Sequence, residues 1–237
     1  MKRLQVIGLF VATFLFSAAK AQTADEIINK HITAIGGKEA WTKINSMKME
    51  AGISVQGMDI PVIIYQVHNK GQRQEYTVMN MTGYTIISSE GGWSFSPMEG
   101  QTKPEPMTAD ALKAAQDGLD IQGDLLDYAA KGHKVEYLGK EDVDGTEAFK
   151  IKVVRKSGNE VVYFIDPSNY YIIKVANKMK VNGQEIEQKV NLSNYQKLPE
   201  GIVVPFTMEM PGVPAPVAIK KVEVNPTIDP ALFKPAQ

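Results

Sequence analysis

Val161-Val162-Tyr163-Phe164-Ile165-Asp166-Pro167-Ser168-Asn169-Tyr170-Tyr171-Ile172-Ile173-Lys174 is the stretch whose reading decides the fold. β-branched and aromatic residues flank an Asp-Pro-Ser-Asn turn, which predicts two antiparallel strands. Working outward, the same pattern recurs. Turn chemistry stands at Gly57-Met58-Asp59, Asn69-Lys70-Gly71, Glu90-Gly91-Gly92, Asp144-Gly145, Gly158-Asn159 and Asn182-Gly183. Between these turns, strands are expected over Met47–Val55, Ile60–His68, Gln72–Met81, Tyr84–Ser89 and Trp93–Ser96. After a break they resume over Val135–Glu141, Ala148–Ser157, Glu160–Ile165, Tyr170–Val181, Glu185–Gln196, Ile202–Met210 and Ile219–Val224.

Helices punctuate this pattern at two places. Thr23-Ala24-Asp25-Glu26 is a capping box, and Ile27, Ile28, Ile32 and Ile35 follow at helical spacing before Gly36-Gly37. A short helix around Glu39-Ala40-Trp41 comes next. In the middle, Pro97 to Pro106 reads as a loop. Thr108 or Asp110 can start a helix running to Gly118, and Asp124 another running to Gly132. The predicted fold class is therefore mainly β. Consecutive antiparallel strands with two helical pieces point to one strongly curved sheet, with the N-terminal and central helices on its concave side.

The bulk composition narrows the function. Lys2 and Arg3, the apolar run Leu4 to Phe16 and Ala19-Lys20-Ala21 form a secretory signal peptide over residues 1–21, cut after Ala21. Residues 22–237 then make one domain. Removing Lys2, Arg3 and Lys20 changes the formal charge from −1 to −4. That balance argues against nucleic acid as a partner. The chain has 0 cysteines, so the exported protein must hold together by core burial, without disulfides. Gln22 stands where a lipid-anchored lipoprotein would need cysteine, so the exported protein is expected to be soluble, not tethered.

Catalytic signatures are sparse. His31, His68 and His133 lie far apart in sequence, short of a zinc set. Asp142-Val143-Asp144-Gly145 lacks the later ligands of a calcium loop and reads as a hairpin turn. Asp25-Glu26 and Glu141-Asp142 read as a helix cap and a solvated strand end. No nucleophile elbow, P-loop or dinucleotide fingerprint is present. The apolar inventory says more. Met47, Met49, Met79, Met179, Met208 and Met210 fall on expected strands, and methionine suits adaptable apolar surfaces. Ile60-Pro61-Val62-Ile63-Ile64-Tyr65 is apolar on both faces, which implies cover or a cavity on each side. Lys174, Lys178 and Lys180 share the solvated face of their strand, with Tyr171, Ile173, Val175, Met179 and Val181 opposite.

Ile86-Ile87-Ser88-Ser89-Glu90-Gly91-Gly92-Trp93-Ser94-Phe95-Ser96-Pro97 resembles a hairpin of the periplasmic outer-membrane lipoprotein carriers, the LolA/LolB-like family. Val162–Lys174, Asn194-Tyr195, Gly201–Pro205 and Ala231–Pro235 follow in the family's order, so the resemblance spans about Thr23 to Pro235. It implies an unclosed antiparallel barrel whose helices lid an apolar cavity. It implies a periplasmic carrier that shields acyl chains of lipoproteins, or other lipids, for delivery to the outer membrane. The partners implied are an inner-membrane ATP-driven exporter and an outer-membrane acceptor. A basic residue before the Trp-bearing hairpin governs transfer in the family, and Lys70 or Arg73 would take that role here. On this reading Ile63, Tyr65, Met79, Trp93, Phe95, Tyr163 and Ile173 line the cavity. Leu112, Leu125, Leu126 and Tyr128 belong to its lid. The protein is expected to be a monomer, not an enzyme, and to need no cofactor. The alternative is an envelope-sensing or protein-interaction module on the same fold, without lipid transport.

Overall fold

The computed structural model describes residues 23–181 and 184–235. The signal peptide over 1–21, its cut after Ala21 and the Asn182-Gly183 turn lie outside the described residues.

Among the described residues two helices precede the first strand, which lies in the interior of the sheet. Helix α1 (Ala24–Ala34) opens with the capping box: Thr23 Oγ1 accepts from the Glu26 N–H at 3.2 Å, and the Glu26 carboxylate accepts from the Thr23 N–H. The short α2 (Lys38–Trp41) follows. Five strands then run outward as a meander: β1 (Ser46–Val55), β2 (Met58–Val67), β3 (Gly71–Val78), β4 (Met81–Ser88) and β5 (Gly92–Phe95). The two-residue β6 (Glu105–Pro106) ends that edge. The chain then crosses through α3 (Ala109–Gln116) to the opposite edge. There β7 (Lys134–Val143) starts a second meander: β8 (Thr146–Val154), β9 (Glu160–Ile165), β10 (Ile172–Val181), β11 (Gln184–Lys197), β12 (Val203–Glu209) and β13 (Val217–Val224). β13 pairs antiparallel with β1, Met49 opposite Val222, which joins the two meanders. Among the described residues the result is one 13-stranded antiparallel sheet with β6 and β7 at its edges, an unclosed half-barrel with helices on its concave side.

Period-two alternation sorts residues between the faces. At one end of the concave face, Ile27 and Ile28 of α1 pack with Leu125 on Phe149, Ile151 and Val153 of β8 and Val161, Tyr163 and Ile165 of β9. Ile27, Ile151, Val153, Val161 and Ile165 are all 0% exposed, so this end is filled by its own side chains. Beside it, Trp41 packs with Ile44, Met47, Leu126 and Ile202, and its indole N–H donates to the Ile35 carbonyl at 2.9 Å.

The convex face is covered at one place by the C-terminal tail. Phe233 lies so close over Gly71 that a Cβ there would sit 2.6 Å from its ring. The Arg73 guanidinium stacks 4.0 Å from the Tyr84 ring centroid and donates to the Leu232 carbonyl. Ile86 is fully buried under this cover.

Three local expectations change. No helix follows Asp124: residues 124–132 form bends and turns, with Asp127 at φ 52. The Asp124 carboxylate is drawn to Arg155 and so is not free to cap a helix. Strand β3 stops at Val78, because Met79 and Asn80 (φ 48 and 63) form the hairpin turn that leads into β4. A bulge falls at Ile173, since Ile172 pairs with Ile165 while Lys174 pairs with Phe164.

Candidate functional site

A cavity of about 460 Å³ opens on the concave face beside the filled end. Its walls follow the strand pleat. Met47, Met49 and Ile53 come from β1, Val62, Ile64 and Gln66 from β2, and Gln72 and Gln74 from β3. Val190 of β11, Val204, Pro205 and Met208 of β12, and Val217 and Ile219 of β13 complete the opposite wall. Trp41 and Ile121 cap one end; Met210 and Val213 close the other. No lining side chain is charged, and Gln66, Gln72 and Gln74 supply the polar amides. The volume falls within the ~300–1,000 Å³ of small-molecule sites, and such a mostly apolar lining suits an aliphatic ligand. Four methionines among the lining allow the wall to adapt to chains of differing shape.

The segment between α3 and β7 spans this face and is firmly pinned. Gln66 donates to the Gly118 carbonyl at 2.8 Å, and the Asn69 N–H to the Leu119 carbonyl at 2.8 Å. Asp120 holds Lys131 at 2.5 Å and lies 3.4 Å from His68. Asp117 accepts from Ser157 and Asn159 at 2.8 and 2.7 Å. Lys38 pairs with Asp127 at 2.6 Å, and Tyr128 donates to Asp25 at 2.5 Å.

The central pin is Asp124. Its carboxylate takes Arg155 Nε at 3.0 Å and Nη2 at 2.8 Å, and it also accepts the Tyr163 hydroxyl. Burial opposes ionisation of Asp124, but Arg155, with Tyr163 and His133, outweighs it and holds the carboxyl below the usual carboxylate range. Burial, followed by the Asp124 charge, pushes the Tyr163 phenol well above its ordinary value. Each of these groups is committed to the others. The cluster therefore reads as a structural clamp.

The residues expected at the cavity fall elsewhere. Ile63 and Tyr65 alternate with the lining residues Val62 and Ile64, so they point to the convex face, opposite Glu50 and Lys48 of β1. Trp93 and Phe95 share that convex face: Trp93 pairs with Ile86, and the Phe95 ring lies 5.4 Å from Tyr84. Met79 sits at its turn tip, 74% exposed. Tyr163 faces inward but is buried in the filled end, bonded to Asp124. Ile173, at the bulge, packs on the convex cluster of Val162, Phe164 and Ala176.

Leu125 joins the α1 cluster and Leu126 the Trp41 cluster, with Tyr128 beside Leu125. Leu112 sits over Gly92. Arg73 is tied to Glu75 at 2.6 Å, and Lys70 is exposed in its turn. The lining residues Met47, Met49, Met208 and Met210 were within reach of the alternation in β1 and the strand methionines. The two apolar faces of β2 hid which side was the inside.

No family profile matches the sequence, and no curated protein matches it. Solved structures do resemble the fold. A LolA superfamily protein from Nitrosomonas europaea is 14% identical, with TM-score 0.53, covering 90% of this chain and 99% of its own. A DUF1329 family protein from Desulfovibrio piger is 13% identical, with TM-score 0.55, covering 90% of this chain and 98% of its own. Among the described residues no helix is long and apolar enough to cross a membrane. At these identities the likeness concerns fold, and on it the chain has the LolA-like fold, an unclosed antiparallel half-barrel with helices over its concave face.

Proposed function

We propose that this protein is a periplasmic carrier that shelters the acyl chain of a lipoprotein, or of another lipid, on its way to the outer membrane. The observation that carries this reading is the uncharged cavity of about 460 Å³, lined by Met47, Met49, Ile64, Met208 and Ile219. Burying an acyl chain is worth about 0.8 kcal/mol per methylene, so even a partly inserted chain is held. The fold shared with a LolA superfamily protein supports the carrier role. A binding role without catalysis fits the same site, because its lining carries no acid, base or charged group. Delivery from an ATP-driven exporter and transfer to an outer-membrane acceptor belong to this proposal. Lys70, exposed in the β2–β3 turn, takes the transfer role in this proposal, because Arg73 is engaged by Glu75 and Leu232.

The test is lipid mass spectrometry on protein purified from cells with an outer membrane, compared with a Met49→Gln, Met208→Gln variant. Lipid or lipoprotein should co-purify with the parent, and the variant should retain about tenfold less, as two buried amides in an apolar site cost. Absence of any bound chain from the parent protein would sink the proposal.

A further inference from the structure

The wall of the half-barrel changes character at one place. β11 pairs with β12 from Lys197, opposite Val203, to Asn191, opposite Glu209. Farther along, β11 continues through Val190 beyond the end of β12. β12 and β13 pair at Thr207 with Ala218 and Met208 with Val217. Next to Val190, then, the wall is the connection between Glu209 and Val217, and three of its residues are Pro211, Pro214 and Pro216. Proline has no N–H to give to a ladder. The Val213 N–H donates to the Met210 carbonyl at 3.1 Å, a bond internal to this loop. Shifting the loop breaks no strand pairing, in contrast with the multiply pinned segment around Asp124.

Two spaces meet at this loop. Met210 and Val213 line the apolar cavity, and they also line an outer pocket of about 550 Å³. Lys174, Lys189, Asn191 and Glu209 supply the polar lining of that outer pocket. Pairing of Lys174 with Asn191 and of Asn191 with Glu209 puts these groups on the convex face. The cavity carries no charge, whereas its neighbour across the loop carries two ammonium groups against one carboxylate. Lys189 also holds Glu187 at 3.0 Å, a contact that an incoming anion must displace. The Lys174 ammonium lies over the Phe164 ring, 5.2 Å from its centroid.

We infer that the ligand is a single-chain amphiphile with an anionic head, its tail in the cavity and its head on Lys174 and Lys189, the chain passing beneath the Pro211–Pro216 loop. This rests on the lipid-binding reading of the cavity. The cavity volume suits one chain better than several. The head group adds selectivity more than affinity, because the two lysines are part exposed and water screens them.

The test displaces the neutral dye Nile red from the purified protein with dodecanoate, dodecanol and dodecyltrimethylammonium at one pH and ionic strength. Dodecanoate should displace the dye at concentrations about three- to tenfold below dodecanol, the size that two part-exposed ion pairs provide. Dodecyltrimethylammonium should be the weakest. Lys174→Gln with Lys189→Gln should abolish the dodecanoate advantage and leave dodecanol unchanged. Equal displacement by all three would overturn the head-group site while leaving the cavity reading intact. An advantage that survives in the double variant would place the head elsewhere and overturn it as well. If the protein neither takes up the dye nor binds any of the three chains, the carrier reading falls and this inference with it.

Discussion

His31 shows how far a residue's role departs from its type. It lies on α1, 4% exposed, with Nδ1 2.8 Å from the Tyr170 carbonyl, so this nitrogen carries the proton and donates. Burial lowers its pKa to about 4, against a smaller opposing effect of the Tyr170 bond. Below about pH 6.5 the unfolded chain takes up a proton that the folded chain refuses until about pH 4. Stability therefore falls as pH drops through that window, by up to about 3 kcal/mol. His31→Gln keeps a donor without titrating and should flatten this part of the profile, as read from urea midpoints at about pH 7 and about pH 4.5. Asp124 acts lower: its depressed pKa contributes stability that is lost only as pH falls below the ordinary carboxylate range. Its partners come from later in the chain: Arg155 just follows β8 and Tyr163 stands on β9. Nothing near Asp124 in sequence reveals them, which is why it reads locally as a helix cap.

At the scale of elements, local signals were legible where the backbone answers to local chemistry. Thr23 and Glu26 form their capping box, and Thr108 caps α3 by accepting from the Ala111 N–H at 3.3 Å. Signals failed where strain or a distant partner intervened. Met79 and Asn80 both adopt positive φ, a conformation that Asn-Gly prefers and methionine resists. Replacing the pair, Met79→Asn with Asn80→Gly, should stabilise the protein by about 1 kcal/mol. Thermal unfolding would show a rise of about 2–4 °C in Tm for a domain of this size. An unchanged Tm would mean that the β3–β4 turn carries no strain. The bulge at Ile173 is a failure of another kind. One extra residue in β10 flips the side-chain parity across the bulge, and no turn or breaker in Tyr170-Tyr171-Ile172-Ile173 announces it.

For the whole molecule, the order of the strands matters most. β1 opens the sheet and β13 closes it, so Met47 meets Val224 across nearly the full described chain. Such a distant pairing forms late in folding, after the two local meanders. Ile219→Val, in the joining strand, removes about 1 kcal/mol. Stopped-flow kinetics should show unfolding about fivefold faster and folding near the parent rate. A loss confined to the folding rate would place the β1–β13 joint in the nucleus instead. By itself the sequence determined the antiparallel strands, most of their turns and the two capped helices. These depend on pleat, turn and cap chemistry within a few residues. Only the tertiary structure decided which face is the inside. Ile63 and Ile64 are equally apolar, and a period of two cannot tell concave from convex. Curvature and cover do so: Trp41 and Ile121 share the cavity with Ile64, while on the other side Phe233 lies over Gly71 and Arg73 over Tyr84. Those partners come from distant parts of the chain, so the cavity lining was set by long-range packing that no local pattern encodes.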